Sequence, residues 1–274
     1  MKENKIWNDY LPEDMQEHWT VYECLKESED SSTFLVKETV TGILCVLKWG
    51  RNRQAEFLRN EMEIMEKMAD RKLSGVPKAY RIFEENGEVY LVREYIEGMS
   101  LAQMVLQKGG ISEAEICRIS RKICQTAEQF QNPDEPMIHR DIKPENIVVT
   151  PGGEVVFIDF GTMRSYKKDG SRDTFVVGTR GTAAPEQYGY IQTDQRTDVY
   201  AIGQTMLYMV SESYEMNQLS ECAVSRRMKK IIEKACSFEP DKRYGDAAQL
   251  RRAVEKCQAN NRKKVYKKQA QSLD

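Results

Sequence analysis

The stretch His139-Arg140-Asp141-Ile142-Lys143-Pro144-Glu145-Asn146 is followed, thirteen residues after its last residue, by Asp159-Phe160-Gly161. Two short apolar runs, 147–149 and 155–158, lie between these polar stretches and are separated by Pro151-Gly152-Gly153. Apolar runs on either side of such a turn predict a short β-hairpin. Because Asp159 directly follows the second run, a buried strand would hold its carboxylate in a fixed position.

Upstream of this hairpin the hydrophobic pattern is mainly that of strands. Residues 33–39 and 43–49 are predicted to pair through the turn Val40-Thr41-Gly42, and residues 79–83 and 89–92 through Glu85-Asn86-Gly87. One helix, about Gln54 to Ala69, interrupts the strands. Its predicted buried stripe consists of Leu58, Met62, Met65 and Ala69.

After Gly98 the periodicity becomes helical. Three helices are predicted, and a capping box of Ser112 and Glu115 begins the first of them. Each has a stripe of residues expected to be buried: Ile116, Ile119, Ile123 and Ala127 in the first helix, Val199, Ile202, Met206 and Met209 in the second, and Ala247, Leu250, Val254 and Cys257 in the third. Strands first and helices afterwards predict an α+β fold with two lobes. We expect an extension over residues 1–19 that packs on the body, an N-terminal lobe over 20–97, a C-terminal lobe over 98–258 and a solvated basic tail over 259–274.

Composition excludes several classes of protein. The 274 residues are 40% hydrophobic and 31% charged, which is enough chain for a sizeable core but too polar for a membrane protein. A net charge of -2 gives no whole-protein case for nucleic-acid binding. The seven cysteines form no C-x-x-C pair and there are two histidines, which argues against zinc ribbons, disulfide scaffolds and multi-histidine metal sites. We expect reduced thiols and, because residues 1–10 do not resemble a signal peptide, a cytoplasmic location.

The polar stretches resemble the landmarks of the protein kinase family, and specifically of bacterial members of its serine/threonine branch. Ala184-Pro185-Glu186 follows in the expected order, and Val46-Leu47-Lys48 lies on a predicted strand ahead of Glu61 on the predicted helix. The resemblance covers about Tyr22 to Cys257. It implies a two-lobed protein kinase-like fold, ATP and Mg²⁺ as cofactors, and a protein as the substrate that receives the phosphate.

The resemblance also implies roles for individual side chains. Asp141 would accept or orient the proton of the attacking hydroxyl, with Lys143 near the transferred phosphate and Thr179 hydrogen-bonded to both. Asn146 and Asp159 would bind Mg²⁺ through hard oxygen atoms. Further expected features are contacts of His139 with Phe160 and a buried ion pair of Glu186 with Arg243.

On the nucleotide side, Lys48 would contact the α and β phosphates while paired with Glu61. Val46 and Lys48 are two residues apart on a strand, so they share a face. Glu61 borders the predicted buried stripe of its helix, where a charge that is only solvated is not expected. The complete set of residues that the resemblance places at the nucleotide is Val46, Lys48, Glu61, Glu94, Ile96 and Val148.

Arg140, next to Asp141, indicates control by phosphorylation, because an arginine at this place in the family commonly receives a phosphate from the activation segment. The candidate acceptors are Ser171, Thr174 and Thr182, with Thr174 preferred, and Arg164 is a possible second cation. The alternative is that Arg140 only pairs with a local carboxylate or carbonyl group.

The sequence departs from the family where a glycine-rich loop should cover the nucleotide. Counting back from Lys48, the three glycine positions hold Lys26, Ser28 and Ser31, and Glu29 and Asp30 are expected to bring carboxylates close to the phosphates. Val46 is bulkier than the residue that the family usually has beside the adenine, and Arg93 replaces a residue that is usually apolar. A pseudokinase scaffold is therefore the alternative to an active kinase.

Three further expectations concern substrates and partners. Residues 208–228 are short and polar, so the helix that often docks substrates is expected to be reduced. Lys143 and Thr179 argue against a kinase for a small metabolite. Contact of the basic cluster Arg262 to Lys268 with anionic lipid is a further possibility.

Overall fold

The structure is a computed structural model that describes residues 11–132, 134–166, 178–188 and 192–271, with side chains described up to residue 259. The chain divides after Glu97 into two compact units. The first is built on an antiparallel sheet and the second is mainly helical, which confirms the predicted α+β, kinase-like fold class.

The first unit contains a five-stranded sheet in the order β1-β2-β3-β5-β4, in which every pair of neighbouring strands is antiparallel. The predicted turns join β2 to β3 and β4 to β5. In the second turn Asn86 and Gly87 have φ values of 50° and 83°, the left-handed backbone that two-residue hairpins require. The elements are α1 (Glu13–Gln16), β1 (Trp19–Glu27), β2 (Ser31–Glu38), β3 (Leu44–Gly50), α2 (Arg53–Asp70), β4 (Ala79–Glu85) and β5 (Glu88–Glu94).

One face of this sheet is covered by the chain that precedes it. Leu11, Met15 and Trp19 are buried in a cluster with sheet residues that include Phe34 and Leu47. Burying apolar area of this kind is the main favourable term in folding. Leu11, Met15 and Trp19 are thus part of the core of the first unit.

The predicted buried stripe of α2 is partly wrong. Leu58 and Met65 are buried, but Met62 is half-buried and Ala69 is exposed. The buried side chains are instead Ala55, Leu58, Glu61, Ile64, Met65 and Met68. The stripe is rotated toward Glu61, which the helix turns inward to meet Lys48 from β3.

The second unit contains the predicted hairpin as β8 and β9, with Ile147 opposite Phe157. Between α5 and α6 the structure describes only a short 3₁₀ helix, Met216–Ser220, so the expected reduction of this region is confirmed. The elements are β6 (Met99–Ser100), α3 (Leu101–Lys108), α4 (Glu113–Phe130), β7 (Met137–Ile138), β8 (Ile147–Val149), β9 (Val155–Phe157), β10 (Arg164–Ser165), α5 (Gln195–Ser211), α6 (Arg226–Ala235) and α7 (Ala247–Gln271).

The predicted helices and their buried stripes are confirmed in this unit, with one correction at the start of α4. The Ser112 hydroxyl accepts the Glu115 backbone N–H at 3.3 Å. The carboxylate of Glu115, however, accepts a hydrogen bond from Lys108 Nζ at 3.1 Å, where the sequence predicted the returning half of a capping box. The nearby cation outcompetes the backbone amide for this carboxylate.

The basic tail that the sequence predicts to be solvated has helical backbone, because α7 continues through Gln271. Alanine, glutamine, lysine and arginine, which dominate this stretch, are good helix formers, so the helix does not need an apolar face to continue. No helix in the described part of the chain has the length and apolar character needed to cross a membrane.

Candidate active site

In the first unit, the sheet and α2 bring Lys48 and Glu61 together. Lys48 Nζ donates to Glu61 Oε2 at 2.6 Å, and the Glu61 side chain is only 1% exposed. A buried carboxylate is costly unless it is paired. The pair therefore fixes the ammonium group of Lys48 at a defined place above β3.

In the second unit, four polar side chains form one hydrogen-bonded network around Asp141. Lys143 Nζ donates to Asp141 Oδ2 at 2.8 Å and to Thr179 Oγ1 at 2.6 Å, and Thr179 Oγ1 donates to Asp141 Oδ1 at 2.8 Å. Asn146 Nδ2 donates to Asp141 Oδ2 at 2.9 Å. Both carboxylate oxygens are thus oriented by neighbours, which is the pre-organisation that proton transfer requires.

The backbone on both sides of Thr179 depends on glycine. Gly178 has a φ of 135°, and a Cβ there would lie 2.5 Å from Ala183 Cβ. Gly181 has a φ of 100°, and its Cβ would lie 2.9 Å from Tyr214 Cδ2. A side chain at either position would be strained and would clash, so the two glycines allow the turn that delivers the Thr179 hydroxyl to Asp141.

The loop that carries Asp141 is held by a residue whose role the sequence did not reveal. Asp198, at the start of α5, accepts the backbone N–H groups of His139 and Arg140, each at 3.0 Å. Burial raises the pKa of Asp198 to about 6, which still leaves the carboxylate ionised at pH 7. The signal available in the sequence was the stretch Asp198-Val199-Tyr200-Ala201-Ile202-Gly203, which resembles a landmark of the kinase family.

Gln187 is a second residue that the sequence analysis missed. Its side-chain Nε2 donates to the Arg140 carbonyl oxygen at 2.7 Å, while its Oε1 accepts the Ala184 backbone N–H at 2.9 Å. The amide therefore joins the loop of Asp141 to the segment that follows Thr179. A glutamine at this spacing gives no signal in a single sequence.

His139 is fully buried among aromatic rings, with its ring centroid 5.5 Å from that of Phe160 and 5.3 Å from that of Phe157. Burial lowers the pKa of His139 to about 4. The imidazole is therefore neutral at pH 7 and packs as part of the core.

Asn146 directly precedes β8 and Asp159 closely follows β9, so both lie at the open end of the hairpin. The Ile158 backbone N–H donates to the Asn146 carbonyl oxygen at 3.0 Å, and Asp159 Oδ1 accepts the Gly161 backbone N–H at 3.3 Å. Because the Asn146 amide nitrogen is directed at Asp141, its oxygen is the side-chain atom left for a metal ion. An amide oxygen and a carboxylate oxygen suit Mg²⁺, which takes few protein ligands and completes its shell with water and phosphate oxygens.

The Glu186–Arg243 ion pair is buried within the second unit. Arg243 donates to both carboxylate oxygens of Glu186, at 2.7 and 2.9 Å, and the two side chains are 0% and 4% exposed. Thr197 Oγ1 donates to the same carboxylate at 2.8 Å. Through the bond from Thr197, the Glu186 carboxylate also links the segment after Thr179 to the start of α5.

The other residues expected at the nucleotide lie in different units. In the first unit, Val46 is buried and opposite Arg93 in the sheet, Glu94 Oε2 accepts the Lys78 backbone N–H at 3.0 Å, and Ile96 is half-buried. Arg93 is buried too, and its Nη1 donates to the Glu94 carbonyl oxygen at 3.0 Å. Val148 lies on β8 in the second unit.

The turn between β1 and β2, residues 28–31, replaces the glycine-rich loop. Arg51 Nε donates to Asp30 Oδ1 at 2.9 Å and Arg51 Nη2 to the Glu29 carbonyl oxygen at 3.1 Å, while Ser28 Oγ lies 2.8 Å from Ser31 Oγ. Arg51 thus pairs with one of the two carboxylates that the sequence places in this turn, that of Asp30. The turn is held by side-chain bonds where the family uses glycine.

The residues predicted to regulate the site have distinct surroundings. Arg140 has a φ of 68°, and its Nε donates to the Thr162 carbonyl oxygen at 2.7 Å. Arg164 Nη2 donates to the Thr193 carbonyl oxygen at 3.0 Å. Thr182 is 2% exposed, so it does not offer its hydroxyl as a phosphate acceptor in this structure. Ser171 and Thr174 lie outside the described residues.

The geometry agrees with comparisons with known proteins. A model of the protein kinase domain matches residues 20–264. Serine/threonine-protein kinase D of Synechocystis is 29% identical over 218 residues, which cover 73% of this chain and 42% of that protein. Serine/threonine-protein kinase PknA of Nostoc is 26% identical over 220 residues, which cover 73% of this chain and 38% of that protein. Serine/threonine-protein kinase PknB of Mycolicibacterium smegmatis is 30% identical over 184 residues, which cover 59% of this chain and 29% of that protein.

The chain thus spans less than half the length of these curated relatives. The family match, in contrast, extends over most of the chain and includes both units. The resemblance that the sequence motifs indicated is confirmed, and the chain belongs to the protein kinase family.

Proposed function

We propose that this chain transfers the γ-phosphate of ATP to serine or threonine hydroxyls of a protein substrate. The observation that carries the proposal is the closed network of Asp141, Lys143, Thr179 and Asn146. A carboxylate with both oxygens oriented beside an ammonium group can receive a hydroxyl proton next to developing phosphate charge. The similar proteins named above are serine/threonine kinases, which supports this acceptor class.

Each residue has a separate task in this proposal. Asp141 accepts the proton of the attacking hydroxyl, and Lys143 neutralises charge on the transferred group. Lys48, held by Glu61, contacts the α and β phosphates. Asn146 and Asp159 hold Mg²⁺, which when bound neutralises phosphate charge. We propose that Val46, Glu94, Ile96 and Val148 contact the nucleotide.

The same proposal assigns residues 20–97 to an N-terminal kinase lobe and 98–258 to a C-terminal one. We propose that the chain works in the cytoplasm, which is supported by seven cysteines that form no disulfide. A net charge of -2 supports a protein partner over a nucleic acid. We also propose that residues 262–268 contact anionic membranes, which is supported by their basic composition.

A pseudokinase scaffold is the second candidate, and the turn at residues 28–31 is the observation that favours it. Its conformation is fixed by Arg51 and by the two serines. Each charge-assisted bond from a backbone amide to a phosphate is worth about 1.5–3 kcal/mol. Losing one or two such bonds would weaken nucleotide binding by roughly ten-fold to 20,000-fold. We therefore expect weak ATP binding with measurable turnover.

Melting the protein with Mg-ATP and with Mg²⁺ alone separates the two candidates. We expect Mg-ATP at about 100 times its Kd to raise the Tm by roughly 5–10 °C, because a ligand at that concentration stabilises the folded state by about 2.7 kcal/mol. A Lys48→Met variant, which cannot hold the α and β phosphates, is the control and should show a much smaller rise. Equal melting temperatures for the unaltered protein with and without millimolar ATP would leave the scaffold as the function.

We further propose that the active chain phosphorylates its own activation segment, with Thr174 as the main acceptor and Arg140 and Arg164 as the cations that receive the phosphate. Incubation with Mg-ATP should add phosphate within residues 171–182 and raise activity several-fold. Mass spectrometry locates the phosphate, and an Asp141→Asn variant incubated alone should gain none. Full activity of Thr174→Ala would show that Arg140 serves local contacts, such as its bond to the Thr162 carbonyl, and does not receive a phosphate.

A further inference from the structure

A cavity of about 400 Å³ opens on the first unit, beside the turn at residues 28–31. Its volume falls in the range of small-molecule binding sites. The described residues that line it combine aromatic and acidic side chains and include no lysine or arginine: Glu27, Ser28, Glu29, Ser32, Phe34, Trp49 and Glu88. None of these side chains has a part in the proposed phosphate transfer.

The strand register builds the cavity on one face of the sheet. Glu27 is opposite Ser32, Ser32 is opposite Trp49, and Trp49 is opposite Tyr90, so one cross-strand row runs through four strands. Side chains two residues apart on a strand share a face. Phe34 and Glu88 therefore join the row from the next positions on β2 and β5.

The carboxylate of Glu88 is fixed at the wall of the cavity. Its Oε2 accepts hydrogen bonds from Trp49 Nε1 at 2.9 Å and from the Tyr90 hydroxyl at 2.8 Å. Burial, and after it the charge of Glu88, raise the pKa of Tyr90, which agrees with a negative local field. The nearby cation Arg51 forms an ion pair with Asp30, and its guanidinium carbon lies 5.9 Å from the centroid of the Trp49 ring, so this aromatic wall already attracts one cation.

Ser32 provides an independent sign that the cavity takes a ligand. The residue is 7% exposed, and its side chain lines the cavity. Within the described ranges its hydroxyl has no hydrogen-bond partner. Because the hydroxyl oxygen is accessible from the cavity, a donor or acceptor that enters the cavity can bond to it there.

We propose that this cavity binds an organic ammonium group, carried either by a small polyamine or by a lysine side chain. Aromatic faces attract such cations, and carboxylates supply the opposite charge. An inorganic ion fits less well, since no group of three or more histidine, cysteine or acidic side chains in the described chain is spaced to hold a metal. The Ser32 hydroxyl would accept a hydrogen bond from an N–H of the ammonium group.

The test follows the indole N–H signal of Trp49 by NMR in the full chain during titration with spermidine. Trp49 is one of three tryptophans, and Trp49→Phe identifies its signal. We expect a saturable shift at low salt that weakens as salt is added. Glu88→Gln should weaken binding at least ten-fold and Ser32→Ala about three-fold. Glu85→Gln, which removes the same charge from an exposed position in the same hairpin, should change the Kd less than two-fold.

The source of the ammonium group is resolved by a second probe, Nα-acetyl-lysine amide. A shift of Trp49 by this probe and not by spermidine supports a lysine side chain of a protein, and the reverse supports a free polyamine. The absence of a saturable shift with both probes would overturn the proposal. Equal weakening by Glu88→Gln and Glu85→Gln would also overturn it, because the interaction would then be general charge attraction.

Discussion

Asp141→Asn is expected to lower the rate of phosphate transfer by about 10²–10⁴-fold, the usual contribution of a positioned general base. The substitution keeps the size of the side chain but removes the charge that Lys143 contacts at 2.8 Å and an oxygen that can accept the hydroxyl proton. Initial rates with labelled ATP and a serine-rich acceptor protein measure the effect. Binding of Mg-ATP, followed by the rise in Tm, should remain nearly unchanged.

Asp134→Asn is the matched control, because it removes the same charge from an exposed loop of the same unit. Its rate should stay within two-fold of that of the unaltered chain. If Asp141→Asn retained a third or more of the original rate, Asp141 would not be the base. The phosphate transfer would then have to be assigned to another protein in the preparation or to another residue.

Arg243→Met is expected to have the largest effect on stability. It leaves the Glu186 carboxylate buried without its cation and removes the donors to the carbonyl oxygens of Ser237 and Phe238. Breaking a buried ion pair from one side costs about 3–5 kcal/mol. At about 2–4 °C per kcal/mol, the Tm should fall by roughly 10 °C or more in a thermal or calorimetric melt.

Arg251→Met is the control, since Arg251 pairs with Glu128 and Glu255 at the surface, where ion pairs contribute about 0–1 kcal/mol. The double change Glu186→Leu with Arg243→Met should recover part of the loss, because the buried charge is then gone as well. If Arg243→Met and Arg251→Met lowered the Tm by the same amount, the buried pair would not be a determinant of the fold.

Most of the fold could be predicted from the sequence wherever local chemistry and periodicity agree. The hairpin at 147–157 has a Pro-Gly-Gly turn and two apolar runs, and α4 has both a serine cap and a regular apolar stripe. The stripe of α2 was misplaced because hydrophobicity alone ranks Met62 and Ala69 above Glu61. The buried ion pair with Lys48 is a tertiary contact, and it rotates the inward face of the helix.

The candidate site was predictable only for residues that belong to spaced motifs. Asp141, Asn146 and Asp159 are identified by their order along the chain. Asp198 begins a stretch that resembles a landmark of the family, but its hydrogen bond to a backbone atom 58 residues away leaves no local pattern. Neither does the bond from Gln187 to a backbone atom 47 residues away. The pairing of Asp30 with Arg51 was missed for the same reason, since it depends on how β2 and β3 are placed side by side.

The two hydrogen bonds that Asp198 accepts from the amides of His139 and Arg140 have a consequence for the energetics of the proposed phosphate transfer. A free loop loses about 1–2 kcal/mol of conformational entropy for each residue that it fixes. Because α5 already holds this loop through a carboxylate at its first turn, that entropy is lost once, when the chain folds. Substrate binding energy then does not have to order the catalytic loop again at every turnover, and it remains free to act on the transition state.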